Sequence, residues 1–256
     1  MIACGSLEYA QARLQARHGQ RADAAAWQRL ETPREFAALL DAVRNSPLRH
    51  CAVGVTPRSS AHEIEAVLRS HWRATVAEVA GWMPPPWQPA LAWCAVLPLL
   101  PALQHLARGG AVQPWMQADT LLRALVAAAP EARAAALRST EAAALALAWT
   151  APQTLGTAWR LEWQRRLPRP LGGADDSLAR VAALLQAHGQ AFAAAPAGPG
   201  TLLRRALQAR LAPWLRRATA EPAAAFVHLA LCALDLERLR GELLLRALFP
   251  PQQEAT

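Results

Sequence analysis

His62-Glu63 is the first pair in the chain whose residue types could support catalysis. A zinc hydrolase built on such a pair needs a second histidine four residues after the first, so that two imidazoles face one ion from one side of a helix. Position 66 is alanine, so the metal reading fails there and His62 is expected to be a solvent-facing first-turn residue. Asp175-Asp176 could ligate a metal or serve as acids, but with Ser177 they precede an apolar helical run. At a helix start the macrodipole accounts for both acids, so capping is their expected role. Cys4, Cys51, Cys94 and Cys232 are far apart and form no Cys-x-x-Cys pair, which argues against a zinc site or disulfide framework and fits a reducing cytoplasm. The seven histidines are dispersed, with no local Ser/His/Asp or Cys/His signature. Lysine is absent altogether, which removes the Walker A lysine, Schiff-base chemistry and the Ser-x-x-Lys pair. Gly198-Pro199-Gly200 lacks both the glycine spacing and the lysine of a phosphate cradle, and it reads as a loop. No catalytic residue, metal ligand, cofactor or small-molecule substrate is therefore expected, although an enzyme can assemble its site from distant residues.

The elements that would position any site are helices. The chain has 256 residues, enough for one large core or a few small helical lobes. Alanine and leucine dominate, β-branched residues are scarce and there is a single tyrosine, so the expected class is all-α. The 20 prolines fall mostly at helix boundaries. The net charge of +8 comes entirely from arginine. Abundant alanine, arginine and proline together indicate a GC-rich coding bias, so nucleic acid is not an expected partner despite the charge. No charged n-region followed by an apolar h-region opens the sequence, so export is not expected.

Local signals then mark the helices in order. Residues 5–19 form an opening helix with Ser6 as N-cap and Glu8 in the first turn. Thr32-Pro33-Arg34-Glu35 has the pattern of a capping box launching a helix through Phe36, Leu39, Leu40 and Val43. Cys51–Arg58 holds the one β-like alternation, too short to found a sheet. Ser60-Ala61-His62-Glu63 is a second capping box, starting a helix that runs to Trp82 before Pro84-Pro85-Pro86 stops it. Pro89 to Gly109 is the most apolar stretch, but Pro98 and Pro101 interrupt it and it is shorter than a bilayer span. Asp119 to Ala151 reads as helix broken near Pro130, and Pro152 to Arg166 as a further helix carrying Trp159, Leu161 and Trp163. Leu167 to Gly173 is the best linker candidate. Between Asp176 and Glu221 there is no acid, while Arg180, Arg204, Arg205, Arg210, Arg216 and Arg217 accumulate around Trp214. At 100° per residue these arginines spread around the helix, giving a basic surface suited to an acidic protein, headgroups or phosphates.

Pro222 to Phe249 is the strongest helical stretch. Phe226, Leu229, Ala230, Ala233, Leu234, Leu236 and Leu239 recur at three- and four-residue spacing, the pattern of a helix buried along much of its length. Asp235, Glu237, Arg238 and Arg240 interrupt it, and intrahelical ion pairing is their simplest role. This stretch resembles the last core helix of the C/d family of V-type ATPase proteins, the central-stalk socket of rotary ATPases. Phe226 stands where that family has tyrosine, Asp235 where it has glutamate, and Leu239-Arg240 match its Leu-Arg pair, while Arg238 departs from its usual asparagine. The opening helix is similar as well, with Tyr9, Ala12 and Arg13 matching Tyr-x-x-Ala-Arg. Leu103-Gln104-His105-Leu106 also echoes Leu236-Glu237-Arg238-Leu239, as expected of a family built from related lobes.

The resemblance implies a single funnel-like all-helical unit over residues 1–256, of up to three related lobes at 1–112, 113–170 and 171–256. It implies a non-catalytic subunit on the cytoplasmic side of the membrane, peripheral, that links the membrane rotor ring to the central axle. Proteolipid and axle subunits would be its partners, membrane contact would come only through the complex, and the basic region including Arg204, Arg205, Arg216 and Arg217 is a candidate contact. The alternative reading is a helical interaction scaffold unrelated to rotary ATPases.

Overall fold

A computed structural model describes residues 6–169, 175–195, 198 and 200–249. Within these the protein is all-α: twelve α-helices joined by turns and short 3-10 segments, with no strand among the described residues. Cys4, Pro199 and most of the expected linker (residues 170–173) lie outside the described residues.

Helix α1 (Leu7–Gly19) begins as expected, with the Ser6 hydroxyl accepting from the Tyr9 N–H at 3.1 Å. Helices α2 (Ala24–Glu31) and α3 (Phe36–Arg44) follow, and here the expected capping box does not form. Thr32 instead closes α2, its hydroxyl donating to the Gln28 carbonyl at 2.8 Å, and Glu35 becomes the N-cap of α3 without a side-chain bond. Thr32 is still in helical conformation, so its hydroxyl bonds back along α2, and the Arg246 guanidinium fixes the turn by donating to the carbonyls of Glu31 and Pro33. The second box does form, and Ser60 and Glu63 cap each other's backbone at the start of α4 (Ala61–Trp82). The β-like segment Cys51–Arg58 forms no strand: it begins in the 3-10 turn Arg49–Ala52 and continues as turns.

The apolar stretch Pro85–Ala107 is long and apolar enough by composition to cross a membrane. Here it is broken into α5 (Gln88–Ala92), a 3-10 segment containing Pro98, and α6 (Leu100–Ala107). After α6 the chain turns at Gly109, whose φ of +79° suits glycine. In the register that pairs Leu103 with Leu236 it falls opposite Glu242, which lies within a helix, so the two copies part company at that point. The stretch expected as one broken helix is shorter still: α7 (Leu122–Val126), α8 (Arg133–Arg138) and 3-10 turns. Helix α9 (Leu155–Arg166) then locks onto the segment before α6 by reciprocal bonds, Trp93 Nε1 to the Trp159 carbonyl at 2.9 Å and Trp159 Nε1 to the Trp93 carbonyl at 3.3 Å. Three helices complete the chain: α10 (Asp175–Ala194), α11 (Gly200–Arg217) and α12 (Ala223–Leu248). Asp175 and Asp176 are the first two residues of α10.

Apolar burial gathers into three clusters. The largest joins α1, the second half of α4, α5, α10, α11 and the first half of α12. The second is nearly consecutive in sequence, from Trp93 to Leu155. The third unites α2, α3 and the start of α4 with Leu239 and Leu243 near the end of α12. The expected lobe limits at 112 and 170 are not where these clusters divide. Helices α4 and α12, the two longest, each contribute to the first and third clusters and pack along one another.

Candidate functional site

The residues singled out on the first and last helices are brought to one region. Helix α1 lies against α11 and α12: the side-chain amides of Gln11 and Gln15 donate to the carbonyls of Ala218 and Leu215 at 2.9 and 2.7 Å. Tyr9 packs against the first cluster, and exposed Arg13 lays its guanidinium over the Trp82 ring, 5.1 Å from the centroid. Phe226 is buried and meets the edge of Trp163 at 5.4 Å, nearly perpendicular. Leu239 is fully buried in the third cluster.

The charged residues on α12 do not mainly pair with each other. Asp235 is 6% exposed and accepts from Arg21 Nε, just beyond α1, at 2.7 Å. Arg238 reaches Glu31 at the end of α2 and stacks over Trp27, 4.2 Å from the ring centroid. Arg240 reaches Glu65 on α4 at 2.5 Å, and only its longer contact with Glu237 at 3.8 Å stays within the helix. Arg246 donates to the α2 end. These four side chains cross-tie α12 to the α1 end, to α2 and to α4. The expected intrahelical network is largely an interhelical one, although Arg246 also pairs with Glu242 one turn earlier at 2.7 Å.

Between α1, the turn after α3, the middle of α4 and the middle of α12 lies a cavity of about 900 Å³. Asn45, Arg49 and His50 at its mouth are exposed, whereas Cys51, His228 and Asp235 on its walls are buried. Two thiol–imidazole pairs line it: Cys51 Sγ lies 3.5 Å from His71 Nε2, and Cys232 Sγ lies 3.5 Å from His228 Nε2. Burial, with Asp235 nearby, pushes the Cys51 and Cys232 thiols up to about 12, so both stay protonated and are donors instead of nucleophiles. His228 is depressed to about 4, first by burial and then by the positive field of Arg21, His18 and Arg17, so its ring is neutral. Burial also lowers His71. His228 Nδ1, on the other side of the ring from the Cys232 contact, is buried without a hydrogen-bond partner. Asp235 is raised by burial more than Arg21 lowers it. No group of three or more metal-ligating side chains is gathered among the described residues.

Sequence reasoning missed this cavity. Its walls come from four separate segments, and only the His228/Cys232 spacing of one helical turn was visible locally. It also missed Arg21 and Glu31, the partners that hold Asp235 and Arg238. The basic region is on α10 and α11, and two of its members have partners: Arg204 lies over Phe192 and reaches Glu237 at 3.9 Å, and exposed Arg205 reaches Glu31 at 3.9 Å. Arg210, Arg216 and Arg217 are exposed and have no ion pair among the described residues. His62 is exposed, as expected, and stacks on Trp115 with centroids 6.3 Å apart.

Comparison with protein-family models, with curated proteins and with solved structures finds no match to this chain.

Proposed function

We propose that this chain is a non-catalytic central-stalk subunit of a V-type rotary ATPase, seated on the membrane rotor ring and receiving the central axle. The observation that carries the reading is the setting of the motif residues on α12. Phe226, Asp235 and Leu239 are buried at successive heights of a 26-residue helix, and ion pairs tie that helix to three different segments. A socket that passes torque must resist sliding between its helices. Side chains that pair across helices at several heights oppose such sliding, because any shift separates paired charges, and at Arg21–Asp235 both charges are buried. Rotor-ring proteolipids and axle subunits are the proposed partners, and exposed Arg210, Arg216 and Arg217 offer a cationic contact for an acidic face. In this role the protein works peripherally, on the cytoplasmic side of the membrane, and ATP is hydrolysed elsewhere in the complex.

The test is to fractionate native membranes, solubilise them and identify by mass spectrometry what co-purifies with the chain. Recovery with ring and nucleotide-binding subunits is the expected result. A soluble monomer without ATPase subunits would overturn the proposal and leave a helical interaction scaffold in its place.

A further inference from the structure

The cavity between α1, the turn after α3, α4 and α12 has a use that the stalk role does not require. Its volume of about 900 Å³ falls within the range of small-molecule sites. Its charges are unequal. Arg17, Arg21 and Arg49 line it against Glu78 and Asp235, and the two acids are already engaged, Glu78 by Arg17 at 2.5 Å and Asp235 by Arg21 at 2.7 Å. Arg49 remains, exposed at the mouth beside His50, with no carboxylate in ion-pair range among the described residues. Further in, Leu48, Val79 and Leu236 supply apolar wall, and the protonated thiols add no charge. His228, 3% exposed, contributes an Nδ1 with no partner. A buried polar atom left without a partner is costly unless a ligand or water satisfies it.

We propose that this cavity binds a small organic anion with an apolar body, of the carboxylate or sulfonate class. Its charged head pairs with Arg49 and His50 at the mouth, and its body lies over Leu48, Val79 and Leu236. A cation is disfavoured, since both acids are neutralised and the uncompensated charge is positive. A bare inorganic anion gains from Arg49 but leaves the apolar wall uncovered, so it binds weakly. The site does not depend on the rotary-ATPase reading, and it is tested on the isolated full chain.

The probe is 8-anilinonaphthalene-1-sulfonate, followed by fluorescence, with octanoate and octylammonium as competitors. One saturable site is expected, from which octanoate displaces the probe and octylammonium does not. Arg49→Glu, an exposed change that leaves the circular dichroism spectrum intact, is expected to weaken binding roughly tenfold or more, the scale of one lost charge-assisted contact. Arg138→Glu, an equal change in net charge at an exposed position outside the cavity, leaves affinity as it was. Equal weakening by both substitutions, no weakening by Arg49→Glu, or displacement by octylammonium as effective as by octanoate would each overturn the proposal.

Discussion

Replacing Arg21 and Asp235 together is predicted to cost far less than replacing either alone. The two side chains are 11% and 8% exposed and meet at 2.7 Å, so each removes the other's charge from a largely dry site. Asp235→Leu leaves the guanidinium with only a long bond to the Leu231 carbonyl at 3.4 Å. Arg21→Met leaves the carboxylate against a thiol and apolar side chains. Breaking a buried pair costs about 3–5 kcal/mol, and because both groups border the cavity, where water can reach them, ~3 kcal/mol is expected for each single change. Burial raises the Asp235 carboxyl more than Arg21 lowers it, so desolvation outweighs attraction and the intact pair adds little net stability. The double variant Arg21→Met/Asp235→Leu should therefore lie within ~1 kcal/mol of the parent, giving a coupling energy of about 5 kcal/mol. Urea unfolding reads this directly: with a slope near ~3 kcal/mol/M, each single change lowers the midpoint by about 1 M and the double change by a few tenths. A double variant as unstable as the two singles combined would refute the reasoning.

Stability should fall as the pH drops below the ordinary histidine range. His228 titrates at about 4 when folded but near 6.5 when unfolded, so the unfolded chain takes up the proton first and its advantage grows from pH 6.5 down to 4. That shift corresponds to ~3 kcal/mol, and His228→Gln should flatten the acid limb of a urea-midpoint-against-pH curve. Arg246→Met strands the carbonyls of Glu31 and Pro33 and should cost ~2 kcal/mol, with faster amide exchange confined to the α2–α3 turn. The thiols of Cys51, Cys94 and Cys232, all pushed up to about 12, should resist Ellman's reagent at pH 8 until the protein is unfolded.

What could be read in advance was what is local. Ser6 and the Ser60/Glu63 box set helix starts through contacts three residues apart, and α12 announced its burial through its own periodicity. The Thr32 box failed because Thr32 stays in the last turn of α2 with its hydroxyl turned back to Gln28, and Arg246, over two hundred residues away, ties down the carbonyls on either side. The cross-ties of α12 are a similar case: Asp235, Arg238 and Arg240 had partners at hand within the helix, yet packing brought Arg21, Glu31 and Glu65 closer. The cavity was invisible because Cys51 and His71 face Cys232 and His228 only after four segments converge. Proline positions in the 85–107 stretch did foretell its breakage, since a missing N–H acts wherever the residue stands.

The third apolar cluster also bears on how the protein is made. Trp27, Leu39, Leu40 and Ile64 emerge from the ribosome early, but the Leu239 and Leu243 that roof them come from α12. Roughly 170 residues separate Ile64 from Leu239, which at 5–20 residues per second leaves that surface uncovered for about ten to thirty seconds. During that interval the nascent chain presents a greasy, half-built surface to its surroundings. A holding chaperone that recognises tryptophan- and leucine-rich segments would find its longest-lived target there, and a stalled or truncated translation product would never bury it.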